Sequence, residues 1–314
     1  MAMTGIQIFK LLPKTNCKDC GSPTCLAFAM ALASGKAELD ACPHVSEEAK
    51  AQLAESSAPP IRAVTIGTGD KALKVGGELV LYRHEKTFYN PTGLGVVVTD
   101  AMGDDEVSRK VEAADKLEYE RVGLMLRPDF VALKCESGDA AKFEALVTKV
   151  MGMTSQNLII MSDNMDALKA GATAAKDRKP LIYAATKDNV DAAGELAKET
   201  ECPLAVKGTN LDEVAELTEA LTKAGLKDLV IDSGARDIKT LLQDQVAIRR
   251  LALEKKFAAL GFPTITLPCE MTDDPMKEAM YAALVINKYG GIALLSELKG
   301  ENLFPLLVNR LNIY

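Results

Sequence analysis

The feature that most constrains the fold is an alternation of short apolar runs with amphipathic stretches, which begins near residue 94. Eight apolar runs have the length and composition of buried strands. They lie at 94–99, 130–134, 158–161, 181–184, 204–207, 229–231, 264–267 and 292–295. Stretches with helical periodicity lie between them, at 105–122, 140–150, 191–199, 211–224, 238–260 and 274–289.

This alternation predicts a parallel sheet. Continuous apolar strands separated by helices are typical of strands that are covered on both faces. Eight such units in about 220–250 residues match the size of a (β/α)8 barrel. An open, doubly wound sheet is the alternative, but it more often has five or six strands and a glycine-rich first turn. We therefore expect an α/β fold, a TIM barrel, preceded by a hairpin of strands 61–67 and 78–83 that plugs its floor.

Four of the seven cysteines lie close to the N-terminus, as Cys17, Cys20, Cys25 and Cys42, with the spacing C-x2-C-x4-C-x16-C. A small module with little apolar material needs a further source of stability, and a metal centre supplies one. The remaining three cysteines are scattered singly, at 135, 202 and 269.

The spacing favours a [4Fe–4S] cluster at these four cysteines. Three close cysteines followed by a remote Cys-Pro are typical of a cubane cluster. Structural zinc sites usually have two tight C-x2-C pairs, whereas this module has one, so zinc is the alternative. Disulfides are less favoured, because the number of cysteines is odd and no secretion signal precedes them. Ser22 and Pro23 predict the start of a helix over 24–34, which places Cys25 in its first turn.

The run Ala58-Pro59-Pro60 predicts a linker between two domains. We expect a small helical [4Fe–4S] domain at 1–57, the linker at 58–60 and the barrel with its hairpin at 61–314. The net charge of −7 and the dispersed basic residues argue against nucleic-acid binding. No apolar run approaches the ~18 residues of a membrane span. We expect a cytoplasmic protein.

Polar residues at the predicted strand ends raise the question of a site at the barrel mouth, where TIM barrels carry their chemistry. Asp100, Asn164, Lys207 and Asp232 would converge in a small-molecule site. The mouth of a degenerate barrel would instead be a protein-binding surface, and helix caps alone would also explain such residues. Three further groups of residues are weaker candidates for a functional role. These are His44 as a neighbour of the cluster, His84 on the surface, and the strand-end thiols of Cys135 and Cys269 as apolar filling.

The chain combines the cysteine module, the Pro-Pro linker, the segment from Gly76 to Phe88 and the barrel. In this combination it resembles the large subunit of the corrinoid iron–sulfur proteins of the acetyl-CoA (Wood–Ljungdahl) pathway. That subunit is also known as the gamma subunit of the acetyl-CoA decarbonylase/synthase complex. The resemblance covers all 314 residues. It rests on the cysteine module with Asn16-Cys17, Cys20-Gly21 and the run Pro23-Thr24-Cys25-Leu26-Ala27-Phe28-Ala29, on the Pro-Pro linker, on the segment from Gly76-Gly77-Glu78 to Lys86-Thr87-Phe88, and on the barrel.

The resemblance implies a methyl carrier. A corrinoid cobalt would accept a methyl group from methyltetrahydrofolate through a methyltransferase and pass it to acetyl-CoA synthase/CO dehydrogenase. Cys17, Cys20, Cys25 and Cys42 would ligate the cluster, which would return oxidised Co(II) to Co(I). The resemblance also implies a heterodimer with a small subunit that carries a similar barrel, and a reductive activator.

The resemblance further implies a C-terminal corrinoid-binding domain, which the given sequence does not contain, so no corrinoid contact is assigned. Two other hypotheses stay open. The barrel could itself be a pterin-dependent methyltransferase, with Asp100, Asn164 and Asp232 at the pterin. Alternatively, the chain could be an iron–sulfur interaction module without cobalt chemistry.

Overall fold

The computed structural model describes residues 5–33, 37, 39–46, 49–50, 59–82, 84–288 and 290–314. The chain divides into two compact units, Met1–Pro59 and Pro60–Tyr314. Several sequence predictions reach beyond the described residues. They concern the end of the helix at 34, parts of the predicted cluster domain, the first residue of the predicted linker (58), residue 83 in the predicted second hairpin strand and the last residue of the predicted helix at 274–289.

In the part of the first unit that the structure describes, the helices with given bounds are α1 (Gly5–Leu11) and α2 (Cys25–Ala33). Their apolar faces meet around Ile8, Phe28 and Ala29, with exposed fractions of 6%, 1% and 0%. Two of the cysteines, Cys25 and Cys42, belong to the same buried cluster. Two of the four thiols are therefore part of the apolar core of this unit.

The second unit contains twelve strands and eight helices among its described residues. In chain order these are β1 (Ala63–Ile66), β2 (Leu73–Gly76), β3 (Gly93–Thr99), α3 (Asp104–Lys116), β4 (Tyr119–Arg121), β5 (Leu124–Leu126), β6 (Phe130–Lys134), α4 (Ala140–Met153), β7 (Asn157–Met161), α5 (Met165–Ala175), β8 (Leu181–Ala185), α6 (Val190–Thr200), β9 (Leu204–Lys207), α7 (Leu211–Lys223), β10 (Leu229–Asp232), α8 (Ile238–Leu253), β11 (Ile265–Thr266), α9 (Pro275–Lys288), β12 (Ile292–Leu295) and α10 (Gly300–Ile313). In the described part of the chain, no helix has the length and apolarity needed to span a bilayer.

Eight of these strands form one parallel ring, which confirms the predicted TIM barrel. Strands β3, β6, β7, β8, β9 and β10 pair in chain order, and β11 pairs with β12, which returns to β3. A parallel bridge between Ile231 and Thr264 joins β10 to the start of β11 and closes the ring. All eight strands were predicted, because burial on both faces leaves continuous apolar runs in the sequence.

The interior of the barrel is filled by side chains such as Phe130, Ile159 and Leu294, all completely buried. Residues of the β1–β2 hairpin belong to the same buried cluster, so the hairpin closes the end where the strands begin. Its anchoring contact is a bond from the Asn157 side-chain amide, at the start of β7, to the Lys71 carbonyl oxygen at 2.8 Å. A Cβ on Gly67 would collide with the Asn157 side chain, so this approach requires glycine.

Three predicted elements differ from the structure. The second hairpin strand is β2 at Leu73–Gly76, whereas 78–82 has no strand. The predicted helix at 105–122 ends at Lys116, and the chain then forms the antiparallel β4–β5 hairpin. The predicted helix at 238–260 ends at Leu253. Helix α5 was not predicted, although its small residues, such as Ala167 and Ala172, pack fully buried on the barrel.

A buried ion pair fastens the segment after β2 to helix α8. The guanidinium of Arg249 pairs with the carboxylate of Glu78, and the two side chains are only 3% and 7% exposed. The same guanidinium donates to the carbonyl oxygens of Leu81 at 3.2 Å and Val80 at 3.0 Å. It also lies 5.0 Å from the centroid of the Phe88 ring. Arg249 therefore contacts this segment at Glu78, Val80, Leu81 and Phe88.

Candidate metal centre

The four N-terminal cysteines lie at different depths in the first unit. Cys25 and Cys42 are buried, Cys20 is half-buried and Cys17 is exposed. All seven cysteines of the chain are free thiols, so the structure contains none of the disulfides considered from the sequence. Four thiols around one small core are a donor set that suits an iron–sulfur cluster, with one corner toward solvent.

The backbone around the first cysteines turns in an unusual way. Lys14, Asn16 and Lys18 have φ angles of 60°, 50° and 72°, and Gly21 has a φ of 74°. The N–H of Gly21 donates to the carbonyl oxygen of Lys18 at 2.9 Å, so the chain makes a closed turn between Cys17 and Cys20.

Asn16 ties the cysteine loop to the start of α2. Its backbone N–H donates to the Sγ atom of Cys25 at 3.4 Å, and its side-chain oxygen accepts from the N–H of Cys25 at 2.8 Å. Hydrogen bonds to cysteine sulfur raise the reduction potential of a bound cluster. The cap of α2 is Thr24, whose hydroxyl accepts from the N–H of Ala27 at 3.1 Å, so the predicted cap at Ser22 is wrong by two residues.

His44 and Asp19 form a second link at the cysteines. The Nε2 atom of His44 donates to the carboxylate of Asp19 at 2.7 Å. Hydrogen bonds from His44 and then from Cys17 hold the pKa of Asp19 below its ordinary value. The ligand atoms of Cys17, Asp19 and His44 all lie within 4.8 Å of one another.

The sulfur positions do not match a tetrahedral zinc site. In such a site the thiolate sulfurs are about 3.8 Å apart, given zinc–sulfur bonds of about 2.3 Å. Among the described residues, which include all four cysteines, no three sulfurs lie within 4.8 Å of one another. The set of four cysteine donors suits an iron–sulfur cluster.

The thiols of the barrel are expected to react slowly with alkylating reagents. Burial raises the pKa of Cys135 and Cys202, and it raises the pKa of Cys269 to about 12. Since the thiolate is the reactive form, iodoacetamide at pH 8 should label the exposed Cys17 of the iron-free chain first. The cluster-loaded chain should protect all four N-terminal cysteines. Mass spectrometry of peptides checks both results, and barrel cysteines that react as fast as Cys17 would contradict the expectation.

The residues proposed for a site at the barrel mouth are engaged separately. The buried carboxylate of Asp100 accepts from the N–H groups of Glu136 and Ser137 at 2.8 and 3.0 Å, and from the Ser137 hydroxyl at 2.5 Å. Burial alone would raise the pKa of Asp100, but these hydrogen bonds outweigh it and hold the pKa below its ordinary value. Asn164 caps α5 by accepting from the N–H of Asp166 at 2.8 Å.

Asp232 belongs to a network that was not predicted. Its carboxylate accepts from the Tyr183 hydroxyl at 2.5 Å and from the guanidinium of Arg236 at 2.9 Å. Arg236 also donates to Glu270 at 2.6 Å, and Lys134 donates to the other oxygen of Glu270 at 3.0 Å. Two carboxylates and two cations therefore balance each other at the ends of three strands, β6, β10 and β11.

The titratable groups of this network are held by one another. Burial and the neighbouring Asp232 raise the pKa of Tyr183 well above its ordinary value, so its hydroxyl stays protonated. Burial would raise the pKa of Glu270, but its bonds to Lys134 and Arg236 lower it. Lys207 ends β9 and is partly exposed. Within the described residues, no hydrogen bond joins any two of Asp100, Asn164, Lys207 and Asp232.

Family models match both parts of the chain. The model described as "Putative Fe-S cluster" matches residues 12–44, which include all four cysteines of the module. The model described as "CO dehydrogenase/acetyl-CoA synthase delta subunit" matches residues 63–314, the barrel with its hairpin. Fold and site therefore define an iron–sulfur protein in which a small cysteine module precedes a TIM barrel.

Comparison with similar proteins identifies the family within this class. The corrinoid/iron–sulfur protein large subunit of Moorella thermoacetica is 44% identical over 314 residues, which span the whole of this chain and 70% of that protein. The gamma subunit of the acetyl-CoA decarbonylase/synthase complex of Methanothermobacter thermautotrophicus is 32% identical, over 100% of this chain and 71% of that protein. The chain belongs to the family of the corrinoid/iron–sulfur protein large subunit, as its sequence predicted.

A solved structure supports the fold alone. A dihydropteroate synthetase crystal structure matches with a TM-score of 0.50 and 11% identity, over 71% of this chain and 94% of that chain. At this identity the similarity concerns the barrel architecture and not its chemistry.

Proposed function

We propose that this chain is a methyl-carrier and electron-transfer subunit of anaerobic acetyl-CoA synthesis. It would take part in moving a methyl group from methyltetrahydrofolate, through a methyltransferase, to acetyl-CoA synthase/CO dehydrogenase. The observation that carries the proposal is the relationship to the Moorella protein, which spans the cysteine module as well as the barrel. A barrel relationship alone would leave the redox role without support.

The proposed ligands of a [4Fe–4S] cluster are Cys17, Cys20, Cys25 and Cys42. Their free thiols, the family-model match over residues 12–44 and the contact of Asn16 with Cys25 support this assignment. When bound, the cluster supplies a single electron of low potential, which serves to return Co(II) to Co(I). The exposed Cys17 keeps one side of the centre near solvent, and exposure shifts the potential of such clusters.

We also propose the domain boundaries and partners that the family implies. The cluster domain spans 1–57, the linker 58–60 and the barrel 61–314, with the corrinoid held in the complete heterodimer. The partners are the small subunit, the methyltransferase, acetyl-CoA synthase and a reductive activator, all in the cytoplasm. The barrel serves as a scaffold in this assembly, a role that the balanced network at its mouth supports.

The proposal is tested on the complete native subunit, purified anaerobically together with its small subunit. Incubation with methyltransferase and labelled methyltetrahydrofolate should leave label on the heterodimer, in an amount that follows its cobalt content. Acetyl-CoA synthase should then remove the label. A heterodimer that contains iron but neither cobalt nor label would contradict the carrier role.

The alternative, a pterin-dependent methyltransferase barrel, makes a different prediction. It requires Asp100, Asn164 and Asp232 to bind a pterin, but each of these side chains already has partners in separate contacts. We therefore expect isothermal titration of this chain with methyltetrahydrofolate to show no binding. Binding that is lost in Asp232→Asn would favour the enzyme instead.

A further inference from the structure

The proposed cluster ligands come from two separate segments of the chain. Three of them lie in the loop that leads into α2, and Cys42 follows a short 3₁₀ turn at Leu39–Ala41. A cluster held by both segments stays ligated only while the segments remain together. The apolar cluster joins the buried Cys25 and Cys42, but Cys17 is exposed and lies outside it.

The Asp19–His44 hydrogen bond crosses between these two segments. Asp19 lies between Cys17 and Cys20, and His44 lies two residues after Cys42. Their side chains meet at 2.7 Å, although 25 positions separate them in the sequence. Because the ligand atoms of Cys17, Asp19 and His44 lie within 4.8 Å of one another, the link stands directly beside the exposed sulfur.

We infer that Asp19 and His44 form a clasp that holds the Cys17 loop against the Cys42 segment and so keeps the exposed corner of the cluster ligated. This inference rests on the proposed function. The two side chains are positioning residues, because four thiols already satisfy a cubane cluster and because the carboxylate and the imidazole bind each other. They act on the cluster through Cys17 and Cys42.

Breaking the clasp is expected to change the rate at which the cluster is lost. The side chains of His44 and Asp19 are 49% and 52% exposed, and exposed pairs contribute modestly. Loss of the clasp should leave the cluster able to assemble but should let the Cys17 corner open more often. An iron chelator would then remove the cluster about two- to fivefold faster, in proportion to the population of the open form.

The test compares Asp19→Ala, His44→Ala and the double variant in the full chain under anaerobic conditions. The readouts are initial iron content, the rate of cluster loss to a chelator and the melting temperature. Each single variant should lose its cluster two- to fivefold faster, and the double variant should match the singles, because either change breaks the same bond. Asp19→Asn, which keeps an acceptor oxygen for His44, should stay close to the wild-type rate.

His84→Ala is the matched control, since His84 is the second of only two histidines and lies in the barrel unit. It should not change the rate. Unchanged rates in both single variants, or a double variant in which the two effects multiply, would overturn the clasp alone. A wild-type chain without iron would overturn the proposed function and the clasp with it.

Discussion

Replacing Cys42 with Ser is expected to remove the low-potential cluster and leave the barrel folded. Cys42 is 4% exposed, and it is the single proposed ligand that lies outside the Cys17–Cys25 loop. A hydroxyl is a harder and weaker ligand for iron than a thiolate, so residue 42 would no longer bind the cluster firmly. The variant should contain much less than the ~4 irons per chain of an intact cubane.

The consequence for function should be selective. Reductive reactivation of Co(II) in the heterodimer should be lost, while methyl transfer to chemically prepared Co(I) should persist. The measurements are iron content, an EPR spectrum after reduction and the rate of Co(II) reduction. Cys269→Ser is the matched control, because this cysteine lies at the barrel mouth, and it should keep full iron. A Cys42→Ser chain with full iron and normal reactivation would contradict the ligand assignment.

Replacing Arg249 with Met is expected to destabilise the barrel strongly. The change leaves the carboxylate of Glu78 buried without its cation and removes the donors to Val80 and Leu81. Breaking a buried ion pair in this way costs about 3–5 kcal/mol. In a domain of this size the melting temperature should fall by on the order of 10 °C.

The neighbouring residue provides the control. Arg250 has a side chain that is 59% exposed and pairs with Glu254 at 3.9 Å, so Arg250→Met should cost less than about 1 kcal/mol. Adding Glu78→Gln to the Arg249→Met chain should recover part of the loss, because it removes the unpaired charge. Calorimetry of the barrel transition measures all three variants. Equal effects of Arg249→Met and Arg250→Met would show that the Arg249–Glu78 ion pair does not fasten the segment after β2 to helix α8.

The sequence predicted the barrel well because each strand carries its own signal. A strand such as β6, with the sequence Phe-Val-Ala-Leu-Lys, is apolar on both faces and needs no knowledge of its neighbours. The hairpin strand β2 was missed because Leu73 and Val75 are its only large apolar residues and the exposed Lys74 lies between them. The β4–β5 hairpin continues the polar pattern of α3, and only the turn at Val122-Gly123 marks its separation.

The candidate site was also predicted in part and missed in part. The four cysteines were found from spacing, which is a local property of the sequence. The Asp19–His44 bond and the Arg236 network join residues far apart in the chain, such as Lys134 and Glu270, which are separated by 136 positions. No pattern in the sequence of either partner identifies the other. The Asp232–Arg236 pair, four residues apart, was the part of the network that a search for charged neighbours could have found.

The metal content of the anaerobically purified chain, with an EPR spectrum after reduction, tests the proposed cluster most directly. We expect four irons with matching sulfide for each chain and a signal from a reduced S = 1/2 cluster. This signal should be absent when Cys42 is replaced. One zinc ion and no iron would contradict the cluster assignment, because the four cysteines would then hold a structural metal that transfers no electron.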